Sequence, residues 1–252
     1  MEVKKAIIPA AGLGSRMFPL TKNTNKLMLP IINKPVIQLL CEEAYHSGIK
    51  EIIITGRNLN EIKKYFKKSK TLVEMTKNFG HKGSVKKLNE VFDKCKIRFI
   101  EQKKPRGWMH EIYLAKRWLK NDSFAVLFSD IIYDSKISAL KQLVKKHKKT
   151  KLHIHSNGRY IFKPSVFKFI NKQKFFLGDD AKVVASVLSE LDSKGEFLHV
   201  PIEGEVFDTG EPLDYIKAIT HFTLKNKEIG PSYQQHIREL AVKIKENEQK
   251  IQ

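Results

Sequence analysis

"VKKAIIPA" (residues 3–10) runs directly into "AGLGSRMFPLTKNTNKLMLP" (11–30). The first part is a short apolar strand, and it ends where a glycine-containing loop begins. Backbone N–H groups at the carboxyl edge of a parallel strand can receive a ligand, so Gly12 and Gly14 are suited to cradling a phosphate or a base. The loop is neither of the two familiar phosphate loops. "GLGSRM" lacks the third glycine of a dinucleotide fingerprint, and no Gly-Lys-Ser/Thr follows to make a Walker loop. What sets it apart is Arg16 and Lys26 flanking the loop, with Pro19 and Pro30 stiffening the connection. Two cations beside such a loop suit triphosphate chemistry, in which catalysis is mostly positioning and charge neutralisation. Taken alone, the same two residues also read as surface cations of a lysine-rich chain.

Outward from this loop the pattern alternates. "PVIQLLCEEAYHSG" (35–48) predicts an amphipathic helix closed by Gly48, and "IKEIIITG" (49–56) a buried parallel strand. A helix over 59–69 and a basic helical excursion to about residue 94 precede a strand at 96–102. A helix at 109–121, a strand at 124–130 and a helix at 136–149 continue the alternation. The series predicts an α/β fold, Rossmann-like and doubly wound, with a mostly parallel central sheet flanked by helices. Beyond it come a strand in 151–162, helices at 164–172 and 179–190, a strand at 197–204, a helix at 212–226 and a charged helical tail.

The composition of the 252 residues, 41% hydrophobic and 29% charged, is that of a globular protein, and no apolar run approaches the length of a membrane span. The opening apolar stretch is too brief for a signal peptide, so a cytoplasmic protein is expected. Cys41 and Cys95 lack metal or redox spacing and read as buried reduced thiols. The net charge of +20 attracts phosphate-bearing partners of every kind. Its lysine runs, however, have helical spacing with core-spaced apolar residues and no aromatic stacking platform, so they read as solvated faces and nucleic acid is not expected. His153 and His155 share one face of a strand without a carboxylate partner and read as ordinary strand residues.

The stretch "PAAGLGSRMFPLTKNTNKLMLPIINKPVIQ" (9–38) resembles the N-terminal signature of bacterial UTP–glucose-1-phosphate uridylyltransferases, within the sugar nucleotidyltransferase superfamily. The likeness continues through "IEQKKPRGWMHEI" (100–112), "FAVLFSD" (124–130), "GRYIF" (158–162) and "FDTGEPLDYIKA" (207–218). It implies a nucleotide-diphospho-sugar transferase-like fold in which a sugar 1-phosphate attacks the α-phosphorus of UTP, giving UDP-glucose and pyrophosphate with no covalent enzyme intermediate. Carried over residue by residue, Ala10, Ala11 and Gly12 would bring backbone groups to the uracil and ribose, and Gly14 and Arg16 would face the triphosphate. Lys26 would neutralise charge developing on the phosphates. Gln102 and Gly107 would read and pack against the base, the amide offering both a donor and an acceptor to uracil or thymine alike. Asp130 and Asp208 would hold Mg²⁺, a hard cation that bridges carboxylate and phosphate.

Departures from the family pattern fall mainly on the acceptor side. Several dozen residues are missing between Asp130 and "GRYIF", including the motif whose lysine holds the sugar phosphate. "GDDAKVVASVL" (178–188) replaces the stretch that supplies a carboxylate to sugar hydroxyls, with Asp180 as its candidate. Around the donor site, Ser15, Asn25, Leu27, Trp108, Met109 and Ile131 stand where the family favours other residues. The expected organisation is one domain over residues 1–252, with a nucleotide-binding half (1–134), a reduced sugar-binding half (151–226) and a helical tail (227–252). Family members are commonly homo-oligomers, and a truncated middle could remove such an interface. Two alternatives stay open at this point: a non-catalytic relative that binds a nucleotide or a partner, and a basic nucleic-acid-binding protein.

Overall fold

In the computed structural model, which describes residues 2–67 and 93–251, the apolar runs become strands of one large sheet. Strand β1 (Lys5–Ala10) leads through the glycine loop and three short 3-10 turns to a small hairpin of β2 (Pro30–Ile31) and β3 (Lys34–Pro35). Then come α1 (Val36–His46), β4 (Glu51–Gly56), α2 (Asn60–Tyr65), β5 (Lys96–Glu101), α3 (Trp108–Leu119), β6 (Phe124–Leu127), β7 (Ile131–Asp134) and α4 (Ala139–Thr150). The remainder is β8 (His153–Ser156), β9 (Arg159–Phe162), α5 (Phe167–Ile170), α6 (Asp180–Asp192), β10 (Phe197–His199), β11 (Glu205–Asp208), α7 (Pro212–Lys225) and α8 (Gly230–Ile251).

The sheet order is β10-β8-β9-β6-β1-β4-β5, and every neighbouring pair is parallel except the two that β9 makes. The expected doubly wound, mostly parallel α/β architecture is therefore present. Alternate residues of the central strands feed two cores, as the pleat requires. Ile8, Ile52, Ile54 and Leu127 pack with Leu40 of α1 and Leu143 of α4 on one face. Ile7, Ile53 and Val126 pack with Ile112 of α3 and Val187 of α6 on the other.

Four expectations are corrected. The segment 151–162 is a hairpin rather than one strand: Asn157-Gly158 turns the chain, with Gly158 at φ 67°, and β8 pairs antiparallel with β9. The strand expected at 197–204 ends at His199, and the strand at 124–130 stops at Leu127, which leaves Asp130 in the turn before β7. The ribbon in which β11 runs antiparallel to β7, setting Asp208 opposite Ile131, has no counterpart in the sequence reading. The helix starting near residue 59 ends at Tyr65, and most of the expected basic excursion to residue 94 lies outside the described residues.

Buried polar groups fasten the layers. Arg159 is fully buried, with Nε and Nη2 donating to the two oxygens of Glu43 at 2.9 and 2.7 Å, and Nη1 and Nη2 to the carbonyls of Gly158 and Ile131. Glu43 Oε1 also accepts the Leu140 N–H that starts α4. His153 is a strand residue: its Nδ1 accepts the Lys163 N–H and its Nε2 lies 2.9 Å from Ser165 Oγ. His155 stacks on Phe197. Cys41 and Cys95 are buried free thiols, and burial pushes both up in pKa. Helix α4 buries Leu140, Leu143, Val144 and His147 and exposes Lys141, Lys145, Lys146, Lys148 and Lys149, the solvated face expected of its charge run. Among the described residues no helix is long and apolar enough to cross a membrane.

Candidate active site

The site forms where β1, β4, β5 and β6 end. A cavity of about 360 Å³ is lined by Ala11, Gly12 and Leu13 of the loop, Gln102 and Gly107 after β5, Trp108 and Glu111 of α3, Phe128 and Asp130 after β6, and Asp180. A smaller one, about 150 Å³, adjoins it across Gly12 and is lined by Ala10, Lys26 and Arg57 among others. Gly14 adopts φ 64°, in the left-handed region, and its carbonyl accepts the Thr21 hydroxyl at 2.8 Å, so the loop turns back on itself. That turn brings Lys26 under the loop, with Nζ 3.4 Å from where a Cβ on Gly12 would lie.

At the charged end, Lys26 Nζ sits 2.6 Å from Asp130 Oδ2, with side chains only 11% and 21% exposed. Arg16 lies outside, 51% exposed, with Nη2 3.5 Å from Asp208 Oδ2 and a second ion pair to Glu211. The β7–β11 ribbon joins these pairs, because Thr209 donates its N–H and hydroxyl to the Asp130 carbonyl at 2.6 and 3.0 Å. Gly210 leaves a space that only the absence of a side chain provides. A Cβ there would lie 2.9 Å from Arg16 Nη2, 3.0 Å from Asp208 Oδ1 and 3.3 Å from Asp130 Oδ2. Two carboxylates thus converge on one small cradle. Among the described residues no group of three or more His, Cys, Asp or Glu side chains is arranged to hold a metal. Two carboxylates fit Mg²⁺, which completes its shell with water and substrate phosphate oxygens.

At the other end of the larger cavity, Gln102 is fully buried. Its Nε2 donates to the Gly107 carbonyl at 3.1 Å and lies 2.9 Å from His110 Nδ1, while Oε1 is buried with no hydrogen-bond partner. Burial, with the nearby Arg106 charge, holds His110 below its usual pKa, so it is neutral near pH 7 and its Nδ1 accepts. Gly107 has φ 79°, and a Cβ there would collide with the Asp180 carboxyl. Asp180 is raised in pKa by burial, against a hydrogen bond from the Trp108 backbone, and its Oδ1 also lacks a partner. The structure therefore sets Asp180 against the turn that carries Gly107, within the cavity that Gln102 lines.

Of the sequence candidates, one cavity gathers Ala11, Gly12, Gln102, Gly107, Asp130 and Asp180, while Lys26, Arg16, Gly14 and Asp208 cluster beside it. Ala10 points its N–H elsewhere, to Glu111 Oε2 at 3.1 Å. Glu111 was not singled out from the sequence. It is 2% exposed and also accepts the Thr55 hydroxyl at 2.5 Å. Burial pushes its carboxyl up to about 8, aided by the negative charge of Asp180 and opposed by the Thr55, Ala10 and Ala11 hydrogen bonds. A signal existed: Glu111 interrupts the apolar stripe of Met109, Ile112, Ala115 and Leu119. Glu211, the partner of Arg16, was missed as well.

The chain as a whole is similar to known proteins. The UTP–glucose-1-phosphate uridylyltransferase of Staphylococcus epidermidis is 30% identical over 287 aligned positions, covering 96% of this chain and 99% of that protein. With 96% of the 252 residues aligned, about 45 of those 287 positions have no counterpart in this chain, in keeping with a segment that it lacks. A UDP-glucose pyrophosphorylase solved with UDP-glucose superposes with a TM-score of 0.77 at 25% identity, over 89% of this chain and 100% of that one. A UTP-bound enzyme of the same name from Acinetobacter baumannii shares the fold, with a TM-score of 0.83 at 20% identity over 94% and 99% of the two chains. The family model described as nucleotidyl transferase matches residues 5–156, from the first residue of β1 to the last of β8, and the chain belongs to that family.

Proposed function

We propose that the protein is a UTP–glucose-1-phosphate uridylyltransferase, joining UTP and glucose 1-phosphate into UDP-glucose with release of pyrophosphate. The observation that carries this reading is the sheltered Lys26 ammonium beneath Gly12, paired with Asp130, whose carboxylate converges with Asp208 around Gly210. A phosphate oxygen of the sugar attacks the α-phosphorus of UTP in line, the bond to the β-phosphate breaks, and the electron pair leaves with pyrophosphate. Lys26 offsets negative charge gathering on the phosphates, and Arg16 does so from the solvent side. Gln102 and Gly107 hold the base, with Ala10, Ala11, Gly12 and Gly14 shaping the loop around the nucleotide. Asp130 and Asp208 would hold Mg²⁺, which when bound supplies charge neutralisation at the phosphates.

In this scheme residues 1–134 bind the nucleotide, 151–226 form a reduced acceptor half within the same domain, and 227–252 are a tail. Asp180 would serve the sugar hydroxyls. The cytoplasm is the compartment that supplies UTP and sugar phosphates to such an enzyme. The roughly 45 aligned positions without a counterpart favour one other reading, nucleotide binding without transfer. Pyrophosphate release from UTP, glucose 1-phosphate and Mg²⁺ separates the two. Release that falls steeply in Lys26→Ala and Asp130→Ala supports transfer. UTP binding with no release against a panel of sugar 1-phosphates replaces it with the second reading.

A further inference from the structure

The buried amide of Gln102 has spent its donors. Nε2 is taken by the Gly107 carbonyl and by His110 Nδ1, so only Oε1 remains for a ligand. An acceptor alone reads half of a uracil imide edge: it suits the N3–H, but the flanking carbonyls need a donor. The Ala10 N–H at the end of β1 cannot supply one, because it is held by Glu111. Glu111 itself lines the cavity together with Gln102, Gly107 and Asp180. Its Oε2 accepts both the Ala10 N–H and the Thr55 hydroxyl, and the Ala11 N–H also donates to the carboxyl, so Oε1, which takes neither of the first two bonds, is the oxygen to carry a proton.

We propose that Glu111 acts as a neutral carboxylic acid whose O–H donates to a carbonyl of the uracil imide edge, while Gln102 Oε1 accepts the N3–H of the same edge. The inference rests on the nucleotide reading given above and makes Glu111 a specificity-determining residue within it. Donor and acceptor then come from two side chains, one after β5 and one on α3, each oriented by its other hydrogen bonds. In the same pose cytosine turns its N3 lone pair, an acceptor, toward Gln102 Oε1 and leaves that oxygen unpaired, which is expensive in a buried site.

The surroundings favour the protonated form. β1 and β4 bring only the Ala10 N–H and Thr55 hydroxyl, and the loop after β1 the Ala11 N–H; these bonds oppose burial without outweighing it, and the strands' ionisable residues Lys5 and Glu51 lie at the opposite ends, paired with Asp122 and Arg98. The start of α6 brings Asp180, whose negative charge opposes ionisation, and α5 offers only Lys168, which is exposed. The turn after β6 brings Asp130, already neutralised by Lys26. On the Glu111 side of the cavity, His110 is neutral and Arg106 precedes the helix. The carboxyl accordingly titrates at about 8.

Titration calorimetry of UTP and CTP against the full-length protein, at pH 7 and pH 9, tests the assignment. With the wild type, the Kd for UTP should weaken about tenfold between the two pH values as the acid is lost, and CTP should bind far more weakly than UTP at pH 7. In Glu111→Gln, whose amide keeps a donor at both pH values, UTP affinity should stay level relative to that change. This variant also controls for ionisation of the nucleotide and of other residues. The same pH slope in both proteins, or equal affinity for UTP and CTP in the wild type, overturns the assignment while leaving the nucleotide reading standing. A wild type that binds no UTP at either pH overturns both.

Discussion

Glu111→Gln has a second consequence, for stability, that follows from burial alone. Folding raises the Glu111 carboxyl from its ordinary 4.5 to about 8. The native state therefore keeps a proton that the unfolded chain gives up, and stability falls as pH rises through that window. Three and a half units at 1.36 kcal/mol each amount to about 5 kcal/mol, fully felt only above pH 8. Glutamine keeps a carbonyl oxygen for the Ala10 N–H and Thr55 hydroxyl and has no charge to desolvate. The advantage of the variant should be under about 1 kcal/mol at pH 5, grow steadily, and level off above pH 8. Urea denaturation of both proteins at pH 5, 7 and 9 measures it directly. A difference that stays constant with pH, or that grows as pH falls, refutes the account of a carboxyl held neutral by burial.

Three further outcomes follow from the same geometry. Glu43→Gln leaves the fully buried Arg159 guanidinium without its counter-charge and should destabilise the fold by about 3–5 kcal/mol in chemical denaturation, whereas Glu43→Leu combined with Arg159→Met should recover much of that loss. Gly107→Ala places a Cβ into the Asp180 carboxyl at φ 79°. Strain there costs about 1–3 kcal/mol, and Asp180→Ala in the same chain should relieve part of it, seen as a non-additive double-mutant cycle in melting temperature. Lys26→Ala should lower kcat on the order of 10²–10³-fold, the scale of losing one donor at a developing charge. Arg16→Ala, removing a group that is 51% exposed, should lower it less in the same steady-state assay.

Much of the fold was legible because its signals are local. The apolar run over β1, the β-branched run of β4 and the amphipathic stripes of α1, α3 and α4 each declare themselves within a dozen residues. The glycine loop was legible as a local feature too, since Gly12, Gly14, Arg16 and Lys26 lie close in the chain. The β7–β11 ribbon was not, because it pairs residues about seventy positions apart and neither strand has a long alternating pattern. That ribbon is what sets Asp208 beside Asp130, so the sequence could name both carboxylates only through the family likeness. The Asn157-Gly158 turn was a local signal that a single-strand reading passed over. Asp180 was named from its segment, but its approach to Gly107 depends on how α6 packs against α3. Gln102 was expected to offer donor and acceptor together. Folding spends the donors on Gly107 and His110, which no spacing in the chain reveals.

The central claim is that this chain, with its shortened acceptor half, still transfers uridylate. Incubating it with UTP labelled at the α-phosphate, glucose 1-phosphate and Mg²⁺, and separating the nucleotides by chromatography with mass detection, tests that claim most directly. The account predicts label appearing in UDP-glucose in step with pyrophosphate, and formation of that product slowed about 10²–10³-fold in Lys26→Ala. UTP that binds yet remains intact with every sugar 1-phosphate offered would contradict it.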